Sequence, residues 1–133
     1  MSTVAPPARE KPPPRFLTLW QIRFPIGAIA SIGHRLSGVA LLVALPVLAL
    51  TLDRSLRSAA DYDALMADMH AAWMIPLVFI FAWAGSYHLL AGLRHLLMDI
   101  GIGWRLPSGR RSAWGALVAA PLLAAALTLA WFI

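Results

Sequence analysis

Three long apolar segments, separated by short polar stretches, dominate the pattern along the chain. The apolar segments cover residues 25–52, 71–98 and 114–133. Crossing a bilayer as an α-helix takes about 20 apolar residues, and each segment is long enough. The pattern therefore predicts an all-α membrane protein with three transmembrane helices.

The charged residues of the polar stretches differ in sign between the two sides of the predicted membrane. Lysine and arginine predominate in residues 1–24 and 99–113, whereas residues 53–70 hold four of the aspartates. By the positive-inside rule, residues 1–24 form a cytoplasmic tail with an interfacial segment, 99–113 a cytoplasmic loop and 53–70 an outer loop. The N-terminus is thus expected in the cytoplasm, or in the matrix of an organelle.

Composition agrees with a membrane protein and excludes several kinds of chemistry. The 133 residues are 60% hydrophobic and 13% charged, and cysteine is absent. Disulfides, thiolate metal sites and cysteine nucleophiles are therefore excluded. The formal net charge of +5 reflects topology and does not indicate a nucleic-acid partner. Prolines inside the apolar segments are expected to kink the helices; they are Pro46, Pro76 and Pro121.

His88 lies within the second apolar segment, where an ionisable side chain is costly. Such residues usually face a protein interior and mark a ligand, cofactor or ion path. Gly92 and His95 share its helical stripe, and the missing side chain at Gly92 would let a flat ligand lie against the backbone, as a haem-binding helix requires. From the residues alone, His88 is as well explained by a hydrogen bond between helices.

The start of the first apolar segment combines small residues with a second polar cluster. Ser31, His34 and Arg35 fall on one helical face, and the surrounding glycines, alanines and serines favour close helix packing. At 1.5 Å per residue, Arg35 lies about 16 Å from Phe24, and His88 about 16 Å from the far end of its own helix. Both clusters are therefore expected at similar depth, in the cytoplasmic half. The third segment has no ionisable residue and is assigned to packing.

Two motifs give the chain a resemblance to the cytochrome b subunit of succinate dehydrogenase. They read Phe24-Pro25-Ile26-x-Ala28-x-x-Ser31-Ile32-x-His34-Arg35-x-Ser37-Gly38 and His88-x-x-x-Gly92-x-Arg94-His95-x-x-x-Asp99-x-Gly101. The order of the motifs, their positions on the first two helices and the three-span layout all match, so the resemblance covers nearly the whole chain.

The resemblance implies a membrane anchor of complex II in the bacterial inner membrane or the mitochondrial inner membrane. Its partners would be a flavoprotein subunit, an iron-sulfur subunit, a second anchor subunit and membrane lipid. The anchor would be part of an enzyme of the tricarboxylic acid cycle without being catalytic alone.

Carried over by position, His88 would be one axial ligand of haem b, the other coming from a partner subunit. His34 and Arg35 would lie near the propionates, with Gly92 and His95 beside the haem. Ser31 and Arg35 would help to bind and reduce ubiquinone.

Two alternatives stay open at this point. The anchor of a fumarate reductase would share the haem and run in the opposite physiological direction. A non-redox membrane scaffold subunit would use its histidines only to join helices.

Overall fold

The computed structural model describes residues 23–133 and contains four α-helices in this range. The helices are α1 (Ile26–Arg57), α2 (Ala59–Met69), α3 (Ile75–Asp99) and α4 (Leu106–Phe132), and a short 3-10 turn, Ala72–Met74, precedes α3. The predicted tail and interfacial segment, residues 1–24, lies outside the described residues except for Arg23 and Phe24.

Three of these helices, α1, α3 and α4, are long and apolar enough to cross a membrane. This confirms the predicted all-α class with three spans. Helix α3 packs against both α1 and α4, which also contact each other. One end of the bundle, termed the basic end, carries arginines; they are Arg23, Arg105, Arg110 and Arg111. The other end, termed the α2 end, is where α2 lies against α1.

The long helices extend beyond the apolar segments from which they were predicted. Helix α1 continues five residues past position 52, to Arg57, whose guanidinium pairs with Asp53 one turn earlier. Such pairs stabilise a helix outside the hydrocarbon region. Helix α4 starts at Leu106, eight residues before position 114. Its first turns carry serine and arginine side chains, which suit the membrane interface and interrupt the apolar run.

The stretch 53–70, predicted as a loop, contains the helix α2. Ser58 caps this helix: its Oγ accepts a hydrogen bond from the backbone N–H of Asp61 at 3.0 Å. Arg54 at the end of α1 pairs with Asp68 of α2 at 2.8 Å. Hydropathy marks this stretch only as polar, and the local capping signal is what identifies the helix.

Small residues line the contacts between the spanning helices. On α1 the buried residues are Ala30, Ser37 and Ala44, seven positions apart. On α4 the buried stripe consists of Ala113, Ala116, Ala120, Ala124 and Thr128. Small residues at these intervals let helices approach closely in a membrane, so α4 has the packing role that its sequence predicts.

The three prolines do not act alike. Pro46 and Pro121 lie inside α1 and α4. Pro76 instead occupies the first turn of α3, where the missing N–H would have no partner in the helix and proline is tolerated. The predicted kink at Pro76 is therefore wrong.

The two ends of the bundle are closed in different ways. At the α2 end, the ring of His70 stacks on that of Trp131, with centroids 5.2 Å apart, so the last turn of α4 contacts the end of α2. At the basic end, Gly101 and Gly103 have φ angles of 84° and 73°. This left-handed conformation strongly favours glycine and turns the chain from α3 into α4.

Candidate functional site

Tyr87 sets the contact between α1 and α3 from which the candidate site is built. Its side chain is only 1% exposed, and its hydroxyl donates to the carbonyl oxygen of Ala30 at 3.1 Å. A buried hydroxyl needs such a partner. Gly33, facing the ring, leaves the space that the ring occupies. The next residue on each helix, His34 and His88, then lies at the same level.

Each helix offers a glycine opposite the histidine of the other. A Cβ built on Gly38 of α1 would lie 3.1 Å from the Cε1 atom of His88, and one built on Gly92 of α3 would lie 3.3 Å from Nε2 of His34. Both histidines lie four residues before the glycine of their own helix. On each of the two antiparallel helices, the histidine therefore packs against the glycine of the other helix. The space beside Gly92, expected to accommodate a flat ligand, holds the His34 imidazole.

Three imidazoles gather where these helices meet. The rings of His34 and His88 stack with centroids 4.2 Å apart and planes inclined by 16°. The ring of His95 lies 5.1 Å from that of His34, tilted by 42°. All three side chains are partly buried. The prediction that the polar clusters of the two helices lie at similar depth is therefore confirmed.

The hydrogen bonds around His88 identify its tautomer. Nδ1 of His88 lies 3.2 Å from the carbonyl oxygen of His34 and 3.2 Å from Oγ of Ser37. A carbonyl oxygen can only accept, so Nδ1 carries the proton. The Ser37 hydroxyl gives its own proton to the same carbonyl, at 2.8 Å, and so accepts from Nδ1. In a neutral ring, Nε2 then keeps its lone pair.

This chemistry fits a metal ligand of the kind that haem iron takes. Metal-binding histidines characteristically donate the other ring N–H to a carbonyl or similar acceptor, which fixes the tautomer and orients the ring. Within residues 23–133, no three histidine or carboxylate side chains are arranged to hold a metal ion together. A metal bound by His88 would therefore need its remaining ligands from outside this part of the chain.

The structure places Ser31 and Arg35 beside this cluster without joining them to it. Ser31 is partly buried one turn before His34, and Arg35 is exposed on the open side of α1. Among residues 23–133, neither is hydrogen-bonded to the three histidines. Around Arg35, large apolar side chains also face outward, with Leu36 61% and Val39 59% exposed. This face is available to lipid, to another subunit or to a ligand between them.

His95 and Arg94, next to each other on α3, make contacts within the chain. Nδ1 of His95 donates to the carbonyl oxygen of Ala91 at 2.7 Å. The guanidinium of Arg94 donates to Oγ of Ser112 at 3.1 Å and to the carbonyl oxygen of Gly109 at 3.2 Å. Arg94 thus connects the end of α3 to the first turns of α4.

Sequence reasoning gave no individual role to four residues that shape this site: Gly33, Ser37 and Gly38 were expected only to allow close helix packing, and Tyr87 was not noted. Their roles depend on which atoms meet across two helices, and spacing along one helix cannot give this. One signal was available: the spacing His-x-x-x-Gly occurs in both motifs, at 34–38 and at 88–92.

Comparison with known proteins agrees with the resemblance carried by the motifs. Residues 9–128 match the model of the family described as succinate dehydrogenase/fumarate reductase transmembrane subunit. Curated relatives named succinate dehydrogenase cytochrome b556 subunit include one from Coxiella burnetii, 40% identical, covering 77% of this chain and 82% of the relative. One from Paracoccus denitrificans is 35% identical and covers 83% of this chain and 84% of the relative. One from Rickettsia prowazekii is 30% identical and covers 86% of this chain and 87% of the relative.

Proposed function

Because the chain belongs to the succinate dehydrogenase/fumarate reductase transmembrane subunit family, we propose that it is the haem-binding cytochrome b anchor of a succinate dehydrogenase. It would act in a bacterial inner membrane with a flavoprotein subunit, an iron-sulfur subunit and a second anchor. The names of its relatives favour this direction over fumarate reduction. The observation that carries the proposal is the contact of Nδ1 of His88 with the His34 carbonyl oxygen and the Ser37 hydroxyl on α1, which leaves Nε2 to bind iron.

His88 would supply one axial ligand of haem b through Nε2, and a partner subunit would supply the other. A haem with two histidine ligands has no open position for oxygen and suits electron transfer. His34 and Arg35 would offset the negative charge of the propionates with donors and positive charge. His34 stacks on the ring of His88, which supports a place beside the haem.

Ser31 and Arg35 would form this chain's part of the ubiquinone site. A quinone carbonyl that gains negative charge during reduction needs hydrogen-bond donors, and a hydroxyl one helical turn from a guanidinium provides two. Guanidinium groups do not serve as proton donors in proteins, so Arg35 would orient the quinone and stabilise charge, while the transferred protons come from water or a partner. The exposure of Arg35 on the open face of α1 supports a site completed by another subunit.

The first test is a reduced-minus-oxidised visible spectrum of the complex captured through this chain from its native membrane. We expect a b-type haem signal that appears on adding succinate, together with flavoprotein and iron-sulfur partners. His88→Ala should remove the signal, whereas His70→Ala, a matched change at the α2 end, should retain it.

Other outcomes of this test would identify the alternatives. Intact captured protein without haem or these partners would indicate a scaffold subunit. A complex that oxidises quinol with fumarate much faster than it reduces quinone with succinate would indicate a fumarate reductase.

A further inference from the structure

We infer that Ser37 is a positioning residue that tunes the electronic state of His88, an inference that rests on the proposed haem ligation. Ser37 lies one turn after His34 on α1 and is completely buried. No spacing rule singles it out, because its role arises only where α1 meets α3.

The hydroxyl of Ser37 has a single proton, and the geometry assigns it. The hydroxyl donates to the carbonyl oxygen of His34 at 2.8 Å, closer than either contact of the His88 ring. The oxygen of Ser37 is then left as an acceptor for Nδ1–H of His88. The imidazole proton is shared between two acceptors, the Ser37 hydroxyl and the His34 carbonyl.

The packing of the His88 ring against α1 determines which acceptors its Nδ1–H can reach. The carbonyl of His34 would normally accept from the backbone N–H one turn later in α1, yet it also faces the Ser37 hydroxyl and the His88 ring. Gly38, the next residue, lets the His88 ring approach this part of α1, with a Cβ there only 3.1 Å from Cε1. Ser37 supplies the acceptor and Gly38 the space.

An N–H that donates to an acceptor leaves more electron density on the ring, which makes Nε2 a more basic ligand. A more basic axial ligand stabilises the ferric state and lowers the reduction potential of the haem. Ser37 affects this in two ways, as an acceptor of the Nδ1 proton and as a donor that competes for the His34 carbonyl, so the haem potential is expected to depend on its hydroxyl. Ser37 would act through His88, because its hydroxyl contacts Nδ1 and not the nitrogen that would bind iron.

The experiment compares Ser37→Ala with Ser37→Thr in the assembled complex. The readouts are the midpoint potential of the haem by redox titration and the low-temperature electron paramagnetic resonance spectrum of the oxidised haem. Ser37→Ala should shift both the potential and the spectrum while haem remains bound, because the Nδ1 proton loses one acceptor and the His34 carbonyl loses a competing donor. Ser37→Thr keeps the hydroxyl and should retain the wild-type values.

Ser86→Ala is the matched control, since Ser86 is buried two residues from His88 and is not hydrogen-bonded to the imidazole. It should leave both readouts unchanged. A Ser37→Ala complex with wild-type potential and spectrum would overturn the inference, as would equal shifts in the alanine and threonine variants. If Ser37→Ala does not assemble, Ser37→Gly, which also lacks the hydroxyl, takes its place: a shifted potential and spectrum support the inference, and wild-type values overturn it.

A failure of the proposed function would look different. In that case the unmodified complex itself would contain no haem. Haem present in the unmodified complex and insensitive to Ser37 would leave the proposed function standing and remove only the role of this residue.

Discussion

The phenol ring of Tyr87 occupies the space that a side chain at position 33 would need. A Cβ at Gly33 would lie 2.8 Å from Cε1 and 2.9 Å from the hydroxyl oxygen of Tyr87, closer than such atoms approach in proteins. Since Tyr87 is almost completely buried, its ring has little room to move. This pair therefore fixes how closely α1 and α3 approach just before the two histidines meet.

Gly33→Ala is expected to disrupt the α1–α3 contact and strongly reduce the amount of assembled complex. Gly27→Ala is the control, because a Cβ at Gly27 meets no atom within 4 Å. Tyr87→Phe, which keeps the ring but loses the bond to Ala30, should cost only about 1 kcal/mol. Thermal denaturation of the purified complex measures all three, and equal stability of the two glycine variants would contradict the packing argument.

Gly38→Ala and Gly92→Ala should have different effects although both add one methyl group to the same interface. The first presses on the ring of His88 and the second on that of His34. If His88 binds the haem, Gly38→Ala should lower the haem content or shift its spectrum more than Gly92→Ala does. The amount of haem per complex, measured by the pyridine haemochrome method, is compared between the two variants. A larger loss of haem in Gly92→Ala would argue against His88 as the ligand.

Ser31→Ala and Arg35→Ala are each expected to slow quinone reduction by about tenfold to a hundredfold, the range for losing a hydrogen bond to a charged group. Haem content should stay close to that of the unmodified complex in Ser31→Ala, whereas Arg35→Ala also removes a proposed partner of the propionates, so its rate is expressed per haem retained. Leu36→Ala, which changes another exposed position beside Arg35, is the control. Succinate-dependent reduction of a soluble ubiquinone analogue provides the rate, and unchanged rates in both variants would place the quinone site elsewhere.

Arg94→Ala should destabilise the complex by about 1–3 kcal/mol, because its guanidinium donates to both Ser112 and Gly109 of α4. Arg94→Lys should not restore stability, since an ammonium lacks the planar fork that makes both bonds. The exposed Arg110 provides the alanine control. If Arg94 instead docks the iron-sulfur subunit, the alanine variant will lose that subunit at unchanged thermal stability of the anchor.

The absence of cysteine from the sequence permits a direct test of the predicted orientation. In intact cells, Asp63→Cys in α2 should react with a membrane-impermeant maleimide, whereas Arg110→Cys at the basic end should react only after permeabilisation. The reverse pattern would mean that the arginines face outward, against the positive-inside rule.

Much of the fold could be predicted from hydropathy, whereas the ends of the helices could not. Apolar runs locate the spans because the bilayer requires them, so α1, α3 and α4 were identified. The same signal disappears where helices continue into water, which is why the last turns of α1 and the first turns of α4 were missed. Helix α2 was missed for the same reason, since its stabilising contacts, such as that of Ser58 with Asp61, are local and polar.

The candidate site shows a similar division. His34, His88 and His95 could be identified because ionisable groups are rare inside membranes. Ser37 could not, because serine in an apolar helix is commonplace and its significance depends on one imidazole from another helix. Gly92 was noted for the right property, a missing side chain, but only the packed helices reveal that the His34 ring fills the space.

The reciprocal arrangement of His34 with Gly92 and His88 with Gly38 has a consequence for how the protein enters the membrane during synthesis. Helix α1 leaves the ribosome well before α3, carrying an imidazole whose proper neighbour has not yet been made. Until α3 arrives, His34 faces lipid or the insertion machinery, which is energetically costly for an ionisable group. Pairing with α3 therefore removes a cost that α1 carries alone, and a chain that ends between them should be degraded faster than the full-length chain.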